Sequence, residues 1–518
     1  MGSSESCCRK DDIGTATSKE SKETIHAAAA IEVEAGPDDL ECRQDTVEIQ
    51  VEEEEPKPQE PDLSLDPRLL RGISLKKSLR NFGRVWKTAP SELVATDHAY
   101  LSRITSDVDR FDVFLSHTWK TSGRLKYWAL LLRSAWPTVI LSWCILTVLT
   151  AMLTAAGMLP AMTFYMAESY NFQNWAAMGP WMRISGILGF LLGFIAAPFA
   201  CQRSEIVFVD VVSINQADPE LTKLGVYGLA GFLSKSAELR VLWSPPLFSR
   251  LWCIFELAAF RKANPNGRIV LAPLYVEALF GILYVGLLCL MLTFLIIQNL
   301  AIPGIVQAIL ALCPAFPLVH YIRKTLQEKR RLLAELQRFD LEQARCLNEF
   351  DKEFIHARIS EWYGSQEAFT EHVRGPLFQE LSAPLSNMEV PVAYWVLVAL
   401  LETSSLLEFQ LAYYRGGAPL ETLLAQFFAS VLAAVLWRIV VLRFALVSCD
   451  YFSHPGSSCC INLLKTFFVW FMTVAFMNLT FQVSYVAERQ GPTFALADAL
   501  ISASCVFLAF GGWSWITR

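Results

Sequence analysis

Charge is scarce in this sequence, and unevenly so. Asp, Glu, Lys and Arg make up 18% of its 518 residues, where a soluble protein carries about a quarter. The shortfall lies after Leu130, in long stretches almost free of charge, whereas residues 1–66 are rich in Asp and Glu. That division excludes a wholly soluble chain and points to a solvated head on a membrane body. The body has no basic stretch interleaved with aromatics, so nucleic acid is not an expected partner. The 13 cysteines form no Cys-x-x-Cys pair and no Cys/His metal spacing, which argues against a zinc site or a disulfide framework. Cys144, Cys289, Cys313 and Cys505 lie inside apolar runs, where a free thiol behaves as a small hydrophobe. No apolar h-region follows the first residues, so a cleavable signal peptide is not expected.

The chain begins MGSSESCCRK. Gly2 with Ser6 fits N-myristoylation, and Cys7 and Cys8 fit S-palmitoylation. One acyl chain holds a protein only marginally; here a second lipid and two bases, Arg9 and Lys10, stand beside the first. The competing reading is a tag remnant, but no His run follows. A lipidated start places the amino terminus in the cytosol. Residues 1–66 are expected to form an acidic, disordered tail, with EEEEPKPQEPD at 52–62. Residues 67–90 then hold Arg68, Arg71, Lys76, Lys77, Arg80, Arg84 and Lys87 and no acid. Leu75, Leu79, Phe82 and Trp86 recur among them at helical spacing. The 67–107 stretch therefore reads as a basic amphipathic segment and linker, lying on an anionic leaflet or packed on the next domain.

Runs of about 20 apolar residues can cross a bilayer. Eight qualify: 134–158, 182–200, 277–299, 302–322, 391–413, 420–446, 461–486 and 493–515. They pair into hairpins 134–200, 277–322, 391–446 and 461–518. Joints within pairs are short or poor in bases, whereas 323–390 opens with Arg323, Lys324, Lys329, Arg330 and Arg331. By the positive-inside rule the segments between pairs face the cytosol, as do both termini.

The remaining pieces, 108–133 and 201–276, alternate strands with amphipathic helices. FDVFL at 111–115 reads as a buried strand and 120–132 as a helix. Strands are expected at 205–211, 239–243 and 268–272, with a loop at 212–223 and helices at 226–236 and 251–262. This is the pattern of a parallel sheet with helices on its faces. A membrane insertion in such a sheet must cross an even number of times, and the 134–200 hairpin does.

DVFLSH at 112–117, FVD at 208–210 with Gly225 after a polar loop, and SRLWCIFEL at 249–257 together resemble a TIR (Toll/interleukin receptor) domain of the divergent protist, plant and bacterial type. VDVVSINQAD at 209–218 is also similar to the TIR-related fungal heterokaryon-incompatibility domain. The resemblance covers roughly 100 residues. It departs from the family in the inserted hairpin and in the lack of a fifth strand after 268–272; helices in 325–380 are the candidates to complete the layer. The fold class expected is an α-helical polytopic membrane protein of about eight spans with a cytosolic α/β, flavodoxin-like TIR-like domain.

The resemblance implies signalling by self-association into a homo-oligomer, and for some members cleavage of NAD as substrate, with no bound cofactor. It places the family's catalytic glutamate at Glu256. A single carboxylate suffices there, because nicotinamide leaves a cationic pyridinium without needing a general acid. At the carboxyl ends of the strands, Phe114, Ser116, His117, Trp119, Asp210, Ser213 and Asn215 are the candidate substrate-binding residues, with Ser249 and Trp252 from the helix segment. The bland reading makes His117 structural, Trp252 part of a core stripe and Glu256 a solvated helix face. A second class of function rests on Glu402, Glu408, Arg438, Arg443, Lys465 and Asp498, which fall in or at the edge of apolar runs. Charge inside a membrane marks a pathway or a paired site. Glu402 and Arg438 are the expected pair, and a channel or transporter is the alternative function.

Overall fold

The computed structural model describes residues 66–200, 204–297, 306, 312–346, 348–386, 390–456 and 458–511. Gly2, Cys7, Cys8 and nearly all of the acidic tail lie outside the described residues, as do 302–305 and 307–311 of the span expected at 302–322.

One six-stranded sheet forms the polar head. Its strands are β1 (Arg71–Ser74), β2 (Ser106–Asp107), β3 (Phe111–Ser116), β6 (Ile206–Phe208), β7 (Ser236–Trp243) and β8 (Arg268–Pro273), in the spatial order β2-β1-β6-β3-β7-β8. The four strands expected from the apolar runs are mutually parallel, β6-β3-β7-β8. The remaining two come from the 67–107 stretch, and β1 pairs antiparallel with β6. The sheet is thus extended before its first parallel strand, not after its last. Phe111, Val113, Phe114 and Leu115 are all buried, as they must be in a strand covered on both faces.

The basic amphipathic helix expected in 67–90 is not formed. Leu75, Leu79, Val85 and Trp86 are buried in the core of the head, and two short helices, Leu75–Ser78 and Arg80–Gly83, replace it. The apolar residues belong to the sheet's core, which outcompetes a flat surface helix.

Seven helices are long and apolar enough to cross a membrane among the described residues: Gly123–Ala155, Trp181–Phe199, Leu274–Thr293, Val392–Arg415, Leu420–Tyr451, Cys459–Gln490 and Pro492–Ala509. The helix expected at 120–132 and the span at 134–158 are one helix, Gly123–Ala155. The strand expected at 268–272 ends at Pro273, and the helix of the span expected at 277–299 starts at once, at Leu274. Gly186, Gly189 and Gly193 face the Gly123–Ala155 helix or its neighbour; a Cβ on Gly189 would lie 2.8 Å from Trp143 Cα. Trp143 Nε1 donates to Ser404 Oγ at 2.8 Å, tying in the Val392–Arg415 helix.

The joint 159–181 is an antiparallel hairpin, β4 (Thr163–Ser169) and β5 (Phe172–Met178). It gathers the joints of two later pairs. Asn174 Nδ2 donates to Gly416 O at 3.2 Å, and Arg489 Nη2 pairs with Glu168 Oε2 at 2.8 Å. These three joints share the end of the bundle away from the sheet. At the sheet end, Arg323 donates to Phe452 O and Asn462 O at 2.9 Å each, and Lys329 pairs with Asp450 at 2.8 Å.

Candidate functional site

In the parallel part of the sheet β6 and β7 lie on opposite sides of β3. The winding reverses there, and in such sheets the ligand crevice opens at the carboxyl ends of the strands flanking the reversal. The strand order therefore singles out the segment after Ser116. His117 follows β3, its Nδ1 3.3 Å from Leu115 O and its Nε2 3.8 Å from Asp210 Oδ1. Trp119 Nε1 donates to Asp210 Oδ2 at 2.7 Å. Lys126, fully buried on the Gly123–Ala155 helix, donates to Thr118 O at 3.1 Å and lies 4.3 Å from the Trp119 ring centroid. The Cys253 thiol reaches His117 O at 3.5 Å, and burial pushes its pKa well above the usual range.

Glu256 closes this cluster from the Leu251–Ala263 helix. Its Oε2 is sealed from solvent and makes no hydrogen bond. Burial pushes its carboxyl up to about 8; Asp210 reinforces the shift, while the Ser116 hydroxyl and Arg250 oppose it. Ser116 Oγ is itself buried and makes no bond of full geometry, so its help to the carboxylate is weak. The site therefore favours the protonated form of Glu256 over the carboxylate.

The other expected substrate contacts lie elsewhere. Phe114 does not reach the crevice: it stacks on Phe208 with ring centroids 4.2 Å apart, inside the core. Ser213 Oγ accepts from Val209 N at 3.2 Å, and Asn215 Oδ1 accepts from Ala217 N at 2.9 Å, so both serve the local turn. Ser249 Oγ donates to Pro246 O. Trp252 turns outward, donating to Asp351 Oδ2 at 3.3 Å beside Tyr227, whose OH bonds the same carboxylate at 2.9 Å. Asp351 belongs to the helix Glu349–Tyr363. Arg345 N donates to Ser249 O, and Leu251 N to Arg345 O. The 323–390 segment thus packs on the SRLWCIFEL region.

The membrane body holds a second cluster. Arg438 Nη2 lies 3.1 Å from Glu402 Oε1, joining neighbouring helices. Arg183 and Glu408 lie 3.2 Å apart and are almost completely buried. Asp498 accepts from Trp437 Nε1 at 2.9 Å and Ser484 Oγ at 2.7 Å. The guanidinium of Arg443 lies 5.3 Å from the Phe510 ring, and Lys465 donates to His454 O at 3.0 Å. Among the described residues no group of His, Cys, Asp and Glu is arranged to hold a metal.

Comparison with protein-family models, curated proteins and solved structures returns no match.

Three members of these clusters escape sequence reasoning. Lys126 sits in a stretch that reads as an amphipathic helix with a solvated lysine. Cys253 reads as ordinary core. Arg183 stands at the start of an apolar run, where a base looks like an interfacial anchor. The available signal for Arg183 was Glu408, an intramembrane acid in need of a partner.

Proposed function

We propose that this is a multi-pass membrane signalling protein whose TIR-like cytosolic domain works by self-association, with its conformation coupled to the helix bundle. The observation that carries this reading is the short connection between sheet and spans: among the described residues six separate β3 from its helix, and none separates β8 from the next. The helix that follows β3 runs unbroken from Gly123 to Ala155, and β8 passes into the Leu274–Ile297 helix at Pro273. A rotation or shift of the first helix must move Lys126 against Trp119 and Thr118. The order β6-β3-β7-β8, second-first-third-fourth among the parallel strands, supports the TIR-like assignment, since flavodoxin-like sheets are wound this way.

The same site weighs against NAD cleavage. An oxocarbenium-like transition state is stabilised by a carboxylate, whereas burial disfavours the carboxylate form of Glu256, and Ser249 and Trp252 are engaged away from it. The deciding experiment is nicotinamide release by detergent-purified protein beside Glu256→Ala, together with crosslinking of the protein in nanodiscs. We expect no release from either protein, and an oligomer that Leu224→Asp, on the exposed face of the Pro219–Tyr227 helix, reduces. Release that depends on Glu256 would replace this reading with the enzymatic one. The Arg183–Glu408 and Glu402–Arg438 pairs favour one alternative, a channel or transporter, and ion flux in vesicles lost on Glu402→Gln would establish it.

A further inference from the structure

Left-handed backbone is rare for residues with a side chain, because Cβ crowds the following carbonyl. Among the described residues three non-glycine positions adopt it: Asn81, Phe82 and Asn171. Asn171 is the tip of the β4–β5 hairpin, an ordinary place for asparagine. Asn81 and Phe82 are consecutive, at φ 53° and ψ 42° and at φ 53° and ψ 39°, and Gly83 follows at φ 67°. Three residues in a row therefore turn the wrong way. A bulky aromatic is the least suited residue for such a turn, and its burial does not repay the strain: Phe82 is 75% exposed. Strain of this kind persists where it serves a function. Here it holds a phenyl ring out from the body.

The turn stands at the sheet end of the bundle. Arg80 Nε donates to Pro198 O at 3.2 Å, with its guanidinium 5.4 Å from the Phe199 ring, and Lys76 Nζ donates to Ala200 O at 3.4 Å. Gly83 packs on the Tyr127 ring. The Trp181–Ala196 helix runs antiparallel to Gly123–Ala155, with Gly193 against Val139. Six residues further along each, Phe199 is level with Arg133, about 8 Å in depth from Trp128 at 1.5 Å per residue. Phe82, Trp128 and Phe199 are all exposed. All three stand near the start of the apolar stretch, at the depth where aromatic belts mark the membrane–water interface.

Charge on this arm is one-sided. Arg68 and Arg84 are matched by Asp66 and Asp97. Lys77, Arg80 and Lys87 are exposed, and among the described residues none pairs with a carboxylate. We propose that the Lys76–Lys87 arm reads anionic lipid: the left-handed turn sets Phe82 into the cytosolic leaflet, and Lys77, Arg80 and Lys87 lie at anionic headgroups. Each base near such a surface adds attraction that salt screens. The arm also reaches the crevice. Trp86 meets His117 edge-on with ring centroids 5.6 Å apart, and the Trp86 carbonyl fills the space that a Cβ on Gly123 would need. Lipid composition at the arm is thereby tied to the site after β3. The inference rests on the multi-pass reading and is independent of the signalling one.

The test uses full-length protein in nanodiscs of phosphatidylcholine alone or mixed with phosphatidylserine. A photoreactive benzoylphenylalanine replaces Phe82, and adducts are identified by mass spectrometry. We expect lipid adducts at position 82, with phosphatidylserine enriched above its share of the bilayer. The combined variant Lys77→Gln, Arg80→Gln, Lys87→Gln should return that share to the bulk value while adducts persist. Adducts confined to protein, whether to the same chain or to a second copy, overturn the insertion of Phe82. Enrichment unchanged in the triple variant, or none in the parent, overturns the anionic preference. The same probe in place of Trp128 should also label lipid; its failure would remove the multi-pass reading and this inference with it.

Discussion

Glu256 is where the sheet domain is expected to respond to pH. Its carboxyl is pushed up to about 8 by burial, whereas a glutamate in the unfolded chain titrates near about 4.3. Between these values the folded state keeps a proton that the unfolded state has lost. Its contribution to stability therefore falls as pH rises from about 4.3 towards about 8 and levels off beyond, by at most about 1.4 kcal/mol per pH unit. Glu256→Gln keeps the shape of the neutral acid and cannot ionise. Thermal unfolding in detergent across this range should show a downward slope for the parent that the variant lacks, and the variant should be the more stable near the upper end. Matching slopes would mean that the carboxyl is solvated. The motif SRLWCIFEL singles out this glutamate from the sequence, but its raised pKa follows from burial in the folded domain, reinforced by Asp210, distant in the chain.

The helices repeat this at the next scale. Apolar runs show where the spans lie, and the Trp181–Ala196 helix begins one residue before the expected 182–200 and ends within it. Which face of it meets a neighbour depends on Gly186, Gly189 and Gly193, a stripe of the small-residue kind that lets membrane helices approach closely. Gly189→Val would drive a branched side chain into the Trp143 backbone, 2.8 Å from where its Cβ would sit. We expect a loss of about 1–3 kcal/mol, as for other overpacked interfaces, read as a lower unfolding temperature in detergent. Leu188→Val, on the exposed face, should leave that temperature nearly unchanged. Equal effects would place the contact elsewhere. The 67–90 stretch shows the limit of periodicity. Leu75, Leu79, Phe82 and Trp86 do recur at helical spacing, yet a strand, two short helices and a left-handed turn bury three of them and leave Phe82 exposed.

For the whole molecule, the sheet and the β4–β5 hairpin lie at opposite ends of the bundle, and three joints meet at the hairpin. Accessibility tags near Asn171, Gly416 and Gln490 should therefore all report one side, and tags near Gln216, Gln343 and Gly456 the other. Gln216 and Asn171 reporting the same side would contradict the split domain. Charge counting at the joints leads to the same two groups, because the bases that mark a cytosolic segment also clasp its neighbours: Arg323 holds Phe452 and Asn462, and Lys329 holds Asp450.

The sequence by itself determined the division into polar head and apolar body, seven of the spans, the four parallel strands and the Glu402–Arg438 proximity. These follow from local composition, from the hydrocarbon thickness a span must match, and from the even crossing a split sheet demands. Only the tertiary structure decided that β1 and β2 extend the sheet, that Phe114, Ser213, Asn215, Ser249 and Trp252 are engaged elsewhere, that Arg183 meets Glu408, and that Glu256 Oε2 is sealed. A side chain's neighbours at long range set its burial and its free hydrogen bonds, and neither quantity is a property of the segment that carries it.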